Sequence, residues 1–235
     1  MPFIADIETR DEPRGPIWGP FAVIRNNVER LVALNLGWSA QLVPGVVALV
    51  FPGLPLWPRI VLMLTSATLV IATAGPFYAL VLAATRGEHL SLELATQLTR
   101  EFALSGLRAL TPLCGVFGLL IWLAILVGPV VPAVMTLVTL TSLLWFLCAT
   151  YWGPLLLFHP TASAMFLAER SIRLVWRYPA ETLATALVTA LALLVGMISI
   201  GGLVLIVPVV VALLQSERYL DLTGREDAAR RGRIA

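Results

Sequence analysis

Two histidines, His89 and His159, and the carboxylates nearest the first of them, Glu88 and Glu93, are the residues that could hold a metal or move a proton. A zinc centre or an acid–base site needs three or four such groups to converge, and the spacing here supplies no such set. The two cysteines, Cys114 and Cys148, lie inside apolar stretches without the spacing of a disulfide framework or a thiolate site, and read as small buried hydrophobes. No Ser-His-Asp order, phosphate loop or pair of buried carboxylates is present. We therefore expect no enzyme, catalytic residue, cofactor or metal. A cluster of His89, His159 and Glu93 in space would reopen the enzyme reading as a third alternative.

Other polar or conformationally special residues sit inside apolar sequence. Asn35 needs a hydrogen-bonding partner in hydrocarbon and typically joins helices there, while Trp38 marks an interface. Pro76, Pro154 and Pro208 each remove a helical hydrogen bond, with Gly75 and Gly153 preceding two of them. These positions read as packing or helix breaks. The alternative is a midplane site where freed carbonyls meet a solute.

The elements that carry these residues are set by charge segregation. The chain of 235 residues is 59% hydrophobic and 13% charged, against about 25% charged in soluble domains. No charged residue falls in 31–58, 60–85, 109–168 or 182–216, and each stretch covers the roughly 20 residues that cross a bilayer. Apolar length and breakers place spanning helices near 31–51, 58–84, 109–127, 131–157, 180–198 and 201–218. The expected fold is an all-α polytopic transmembrane bundle of about six spanning helices. The first 16 residues read as a flexible segment rather than a cleavable signal, 17–220 as one membrane domain and 221–235 as a disordered tail.

Three charged segments are amphipathic. Ile17, Phe21, Ile24, Val28 and Leu31 form one stripe, Leu90, Leu94, Leu98 and Phe102 a second, and Met165, Ala168, Ile172 and Val175 a third. Each is expected to lie along the headgroups as an interfacial helix. With them the chain divides into three units, about 17–85, 90–157 and 163–220, each an amphipathic helix followed by a spanning hairpin.

All sixteen basic residues are arginines, and fifteen fall on one side of this topology, with Arg59 alone on the other. Positive residues near short loops stay cytoplasmic, so both termini are expected inside. Arg25, Arg86, Arg100, Arg108, Arg170, Arg173 and Arg177 should then gather on that face, where each contributes about 1 kcal/mol near anionic lipid. They read as a surface for lipid headgroups or for a partner. The net charge of +2, spread among acids without interleaved aromatics, argues against nucleic acid. Membrane helices free of interior charge argue against a coupled pump.

The stretch "NNVERLVALNLGWSAQLVP", followed by "TAGPFYALVLAATRGEHLSLELATQLTREF", resembles the YesL-like family of bacterial integral membrane proteins. The matching positions are Asn35, Leu36, Trp38, Pro44, Gly75, Pro76, Arg86, Gly87, Glu88 and Phe102, and "RLVWRYPAETL" extends the likeness over roughly 20–220. The sequence departs from the family around Gly37 and Gln41, where the family is more continuously apolar. The resemblance implies a bacterial inner-membrane protein often associated with carbohydrate uptake, and it implies no catalytic residues. The function expected is thus a non-enzymatic accessory or scaffold subunit of a membrane complex such as a solute-uptake system. A permease or lipid-handling protein using the Gly-Pro breaks is the alternative, and it requires open space beside Gly75 and Gly153.

Overall fold

Long apolar runs become long helices because an apolar surface cannot supply backbone hydrogen bonds, so each segment must satisfy its own. The computed structural model describes residues 28–85, 91–127, 131–198 and 206–231, and every regular element among them is helical. In order these are α1 (Val28–Ser39), a 3-10 turn (Ala40–Leu42), α2 (Val43–Val50), α3 (Leu56–Thr85), α4 (Leu92–Val127), α5 (Pro132–Ala149), α6 (Trp152–Phe158), α7 (Ala164–Arg177), α8 (Pro179–Ile198) and α9 (Val207–Arg231).

Five segments are long and apolar enough to cross a membrane: Glu29–Val50, Leu56–Ala84, Leu92–Leu126, Ala133–Phe158 and Pro179–Gly196. Their outward faces are apolar, with Leu49, Leu64, Leu119, Leu137 and Leu191 all exposed, an arrangement that suits lipid and would be a large sticky patch in water. The expected sixth span begins outside the described residues and continues as α9, whose second half is charged. That helix reaches Arg231, well into the segment read as a tail; the Arg225 guanidinium meets Asp221 one turn away at 2.8 Å.

Of the segment 90–102 expected as a separate interfacial helix, the described part does not stand apart. It is continuous with the span as α4, 36 residues or about 54 Å, which exceeds the roughly 30 Å of hydrocarbon by about sixteen residues. Gly106, where a break could fall, is instead a packing position. A methyl there would stand 3.1 Å from the Ile71 carbonyl oxygen and 3.7 Å from that of Ala72. Ala72 is the carbonyl that Pro76 deprives of its helical partner, so the freed backbone faces a neighbouring helix rather than a cavity. Pro76 lies within the unbroken α3.

Polar pairs fasten α1 and α2 to α3. The Thr73 hydroxyl donates to Gln41 Oε1 at 2.6 Å and the Ser66 hydroxyl to the Gln41 carbonyl at 2.9 Å, which accounts for a polar residue where apolar sequence was expected. At the turn before α3, the Arg59 guanidinium donates to the carbonyls of Pro52 at 2.8 Å and of Phe51 and Leu54 at 3.4 Å. Arg59 thus closes that turn. One core cluster centres on Leu110, Tyr151, Leu155, Leu167, Leu174 and Leu222, and a second on Leu31, Phe77, Val81, Val209 and Leu213.

Candidate functional site

Helix α7 begins where Ser163, in extended backbone, accepts the Phe166 N–H on its side-chain oxygen at 3.2 Å, and it ends at Arg177 before Pro179 opens α8. Successive residues turn by about 100°, which sorts this helix into three faces. Leu167, Ser171, Leu174 and Val175 are buried against the bundle. Met165, Ile172 and Trp176 point away from it, 76%, 46% and 85% exposed. Glu169, Arg170, Arg173 and Arg177 make the third face. The expected stripe of Met165, Ala168, Ile172 and Val175 is therefore split, because the helix is apolar towards both the core and the outside.

On the charged face, His159, Phe166, Glu169, Arg170 and Arg173 line a concavity of about 280 Å³. Arg173 pairs with Glu169 at 2.7 Å, both ends being well exposed, so the bond orients the two side chains and contributes about 0.5 kcal/mol at most. His159 arrives from the turn before α7. Its ring meets the Phe166 ring edge-on at 5.3 Å, and its Nε2 stands 3.5 Å from the Tyr219 hydroxyl. Tyr219 in turn stacks on Phe158 at 5.5 Å, which ties the pocket to α9.

Burial first, and then the Arg170 charge, hold the imidazole below the usual histidine range, so His159 is neutral at pH 7. A lowered folded-state value means that the unfolded chain binds the proton more readily. Stability is complete above the unfolded value near 6.5 and is lost as the pH falls through the window beneath it. His159→Gln is expected to flatten this part of the stability–pH curve below about pH 6.5, measured by thermal unfolding in detergent. An equally steep curve in the variant would remove His159 as its source.

Behind the pocket a polar seam joins α8 and α9. The Thr182 hydroxyl donates to the Tyr178 carbonyl at 2.8 Å, so at the 2.6 Å contact between the two hydroxyls Tyr151 is the donor. Arg218, only 8% exposed, donates from Nε to Thr185 Oγ1 at 3.3 Å and from a terminal nitrogen to Asp221 at 3.4 Å. Arg225 holds Asp221 and also reaches Glu181 at 3.5 Å. Tyr78 donates to Gln215. Arg218 is one of the fifteen arginines that the sequence leads one to expect on the cytoplasmic side. Thr182, Thr185 and Thr189, spaced three and four apart on α8 and all buried, were the available signal of a polar partner.

The remaining expected site residues fall elsewhere. Arg25 and Arg86 lie outside the described residues, as does His89, so the proposed His89–His159–Glu93 cluster does too. Arg100 and Arg108 are exposed on α4, which packs against α7. Arg177 lies over the Tyr178 ring at 5.6 Å, apart from the pocket lining. Asn35 is fully buried, and Trp38 packs on Phe77 with ring centres 4.9 Å apart. Pro154 follows a real break between α5 and α6, whereas Pro208 occupies the second position of α9, where its missing N–H costs nothing. The space beside both glycines is filled: a methyl on Gly75 would meet Phe102 at 3.0 Å and Leu156 at 3.2 Å, and one on Gly153 would overlap the Tyr78 ring. Among the described residues no three His, Cys, Asp or Glu side chains are placed to hold a metal. No protein-family model, curated protein or solved structure matches the chain.

Proposed function

We propose that this chain is a non-enzymatic accessory or scaffold protein of the bacterial cytoplasmic membrane. In this reading six helices span, both termini are cytoplasmic, and α7 lies among the headgroups. The observation that carries it is the three-faced α7: Leu167 and Leu174 toward the bundle, Met165, Ile172 and Trp176 toward lipid, and Arg170, Arg173 and Arg177 toward headgroups or a partner. A helix immersed in hydrocarbon would have no use for the third face, and one in water none for the second. The exposed Arg100 and Arg108 on the neighbouring α4 extend the basic surface. The resemblance to the YesL-like family adds the kind of partner, a solute-uptake complex such as one for carbohydrate. Filled space at Gly75 and Gly153 takes away what the permease reading needed there.

The test is purification of the native protein in mild detergent with identification of what comes with it. The expected result is a defined membrane complex in fixed proportion, lost when Arg100→Glu and Arg173→Glu are combined while the variant still enters the membrane. Recovery of the protein alone, carrying bound solute, would overturn the scaffold reading in favour of a permease.

A further inference from the structure

We propose that the pocket on α7 binds the headgroup of an anionic glycerophospholipid that carries free hydroxyls, of the phosphatidylglycerol type. The proposal rests on the interfacial placement of α7. A single helix presents the two halves of such a ligand on adjacent faces. Met165, Ile172 and Trp176 offer an apolar strip for acyl chains, and the next face holds the pocket formed with His159, Phe166, Glu169, Arg170 and Arg173. At about 280 Å³ it falls at or below the roughly 300–1,000 Å³ of sites that engulf a whole small molecule. It fits a headgroup whose tails stay outside.

The lining chemistry narrows the headgroup. Arg170 and Arg173 supply the fork-shaped donors that suit phosphate oxygens, and the bond to Glu169 uses one terminal nitrogen of Arg173. Glu169 is the selective element. A carboxylate beside the phosphate site accepts hydrogen bonds from hydroxyls and repels a second anionic group. Phosphatidic acid, whose bare phosphate carries extra charge and no hydroxyl-bearing alcohol, should bind less well, and phosphatidylcholine offers neither net charge nor donors. Phe166 forms an apolar wall.

The experiment is lipid titration of the full-length protein in neutral detergent, read by native mass spectrometry, with dioleoyl phosphatidylglycerol, phosphatidic acid, phosphatidylcholine and inorganic phosphate as probes. One phosphatidylglycerol per protein is expected, bound about tenfold or more tightly than phosphatidylcholine. That preference is lost in Arg170→Gln/Arg173→Gln and kept in Arg225→Gln, whose side chain lies outside the pocket lining, and Glu169→Gln removes the discrimination against phosphatidic acid. Equal retention by wild type and the double variant would overturn the proposal, and inorganic phosphate competing as well as the lipid would assign the site to a soluble anion instead. Quenching of Trp176 emission by brominated acyl chains, measured as the difference between wild type and Trp176→Phe, separates the two levels. No quenching removes the interfacial reading, whereas quenching without lipid preference removes the headgroup site alone.

Discussion

Gly153→Ala will destabilise the protein by about 3 kcal/mol, seen as a lowered unfolding midpoint in detergent. The added methyl would stand 2.2 Å from Cζ of Tyr78, 2.3 Å from Cε2 and 2.6 Å from the hydroxyl oxygen, so the ring must leave its place. It is not free to do so. Its hydroxyl donates to Gln215 on α9 and its edge meets the Phe77 ring with centres 6.3 Å apart. Overpacking costs about 1 to 3 kcal/mol, and losing the hydrogen bond adds about 1. Gly115 and Gly118 are exposed on α4 with nothing within 4 Å of an added methyl, so alanine there should be neutral or stabilising by up to about 1 kcal/mol. In a Tyr78→Ala background the cost of Gly153→Ala should fall below about 1 kcal/mol, because the clash is pairwise. An unchanged cost in that background would show that the ring is not the obstacle.

The same prolines that mark the sequence have different consequences in the fold, and this defines how far the spans were legible. Apolar length located five spans, since crossing about 30 Å leaves few choices. Whether a helix breaks depends on the neighbours that take up its freed carbonyls, and these are distant in sequence. Pro76 and Pro112 lie inside continuous helices, Pro154 stands just after a break, and Pro208 sits in a first turn. Gly106, which lies between the expected interfacial helix and the expected span, causes no break because α3 packs against it.

The basic face of α7 was legible from its helical period. The split of its apolar residues was not, because apolar side chains mark the outward strip and the core-facing strip alike. Ile172 and Val175, three residues apart in one expected stripe, share a face in a periodicity argument, yet Val175 is buried and Ile172 faces outward. The meeting of His159 with Phe166 and Arg170 depends on the turn between α6 and α7, which returns the chain onto its own next helix. Arg218 was hidden by its position at the end of an apolar run, a place where arginine ordinarily reaches water.

That buried arginine supplies the sharpest division between a structural seam and a transport site. Arg218→Ala is expected to cost about 2 to 3 kcal/mol, less than the roughly 3 to 5 of a broken buried ion pair. The difference arises because its partners are not abandoned. Asp221 keeps Arg225 at 2.8 Å, and the Thr185 hydroxyl already donates to the Glu181 carbonyl at 2.8 Å. What is lost is mainly the packed stem of the side chain, so Arg218→Met should recover most of the stability. Removing Arg225 as well exposes the electrostatic part: Arg218→Ala/Arg225→Ala should cost more than the sum of the single changes, since Asp221 then has neither partner. If Arg218→Met were instead as damaging as alanine, the charge itself would be required. An indispensable arginine between helices that line the membrane is the mark of an ion or substrate path. A scaffold tolerates methionine at Arg218 and keeps its partner; a permease does not keep its transport.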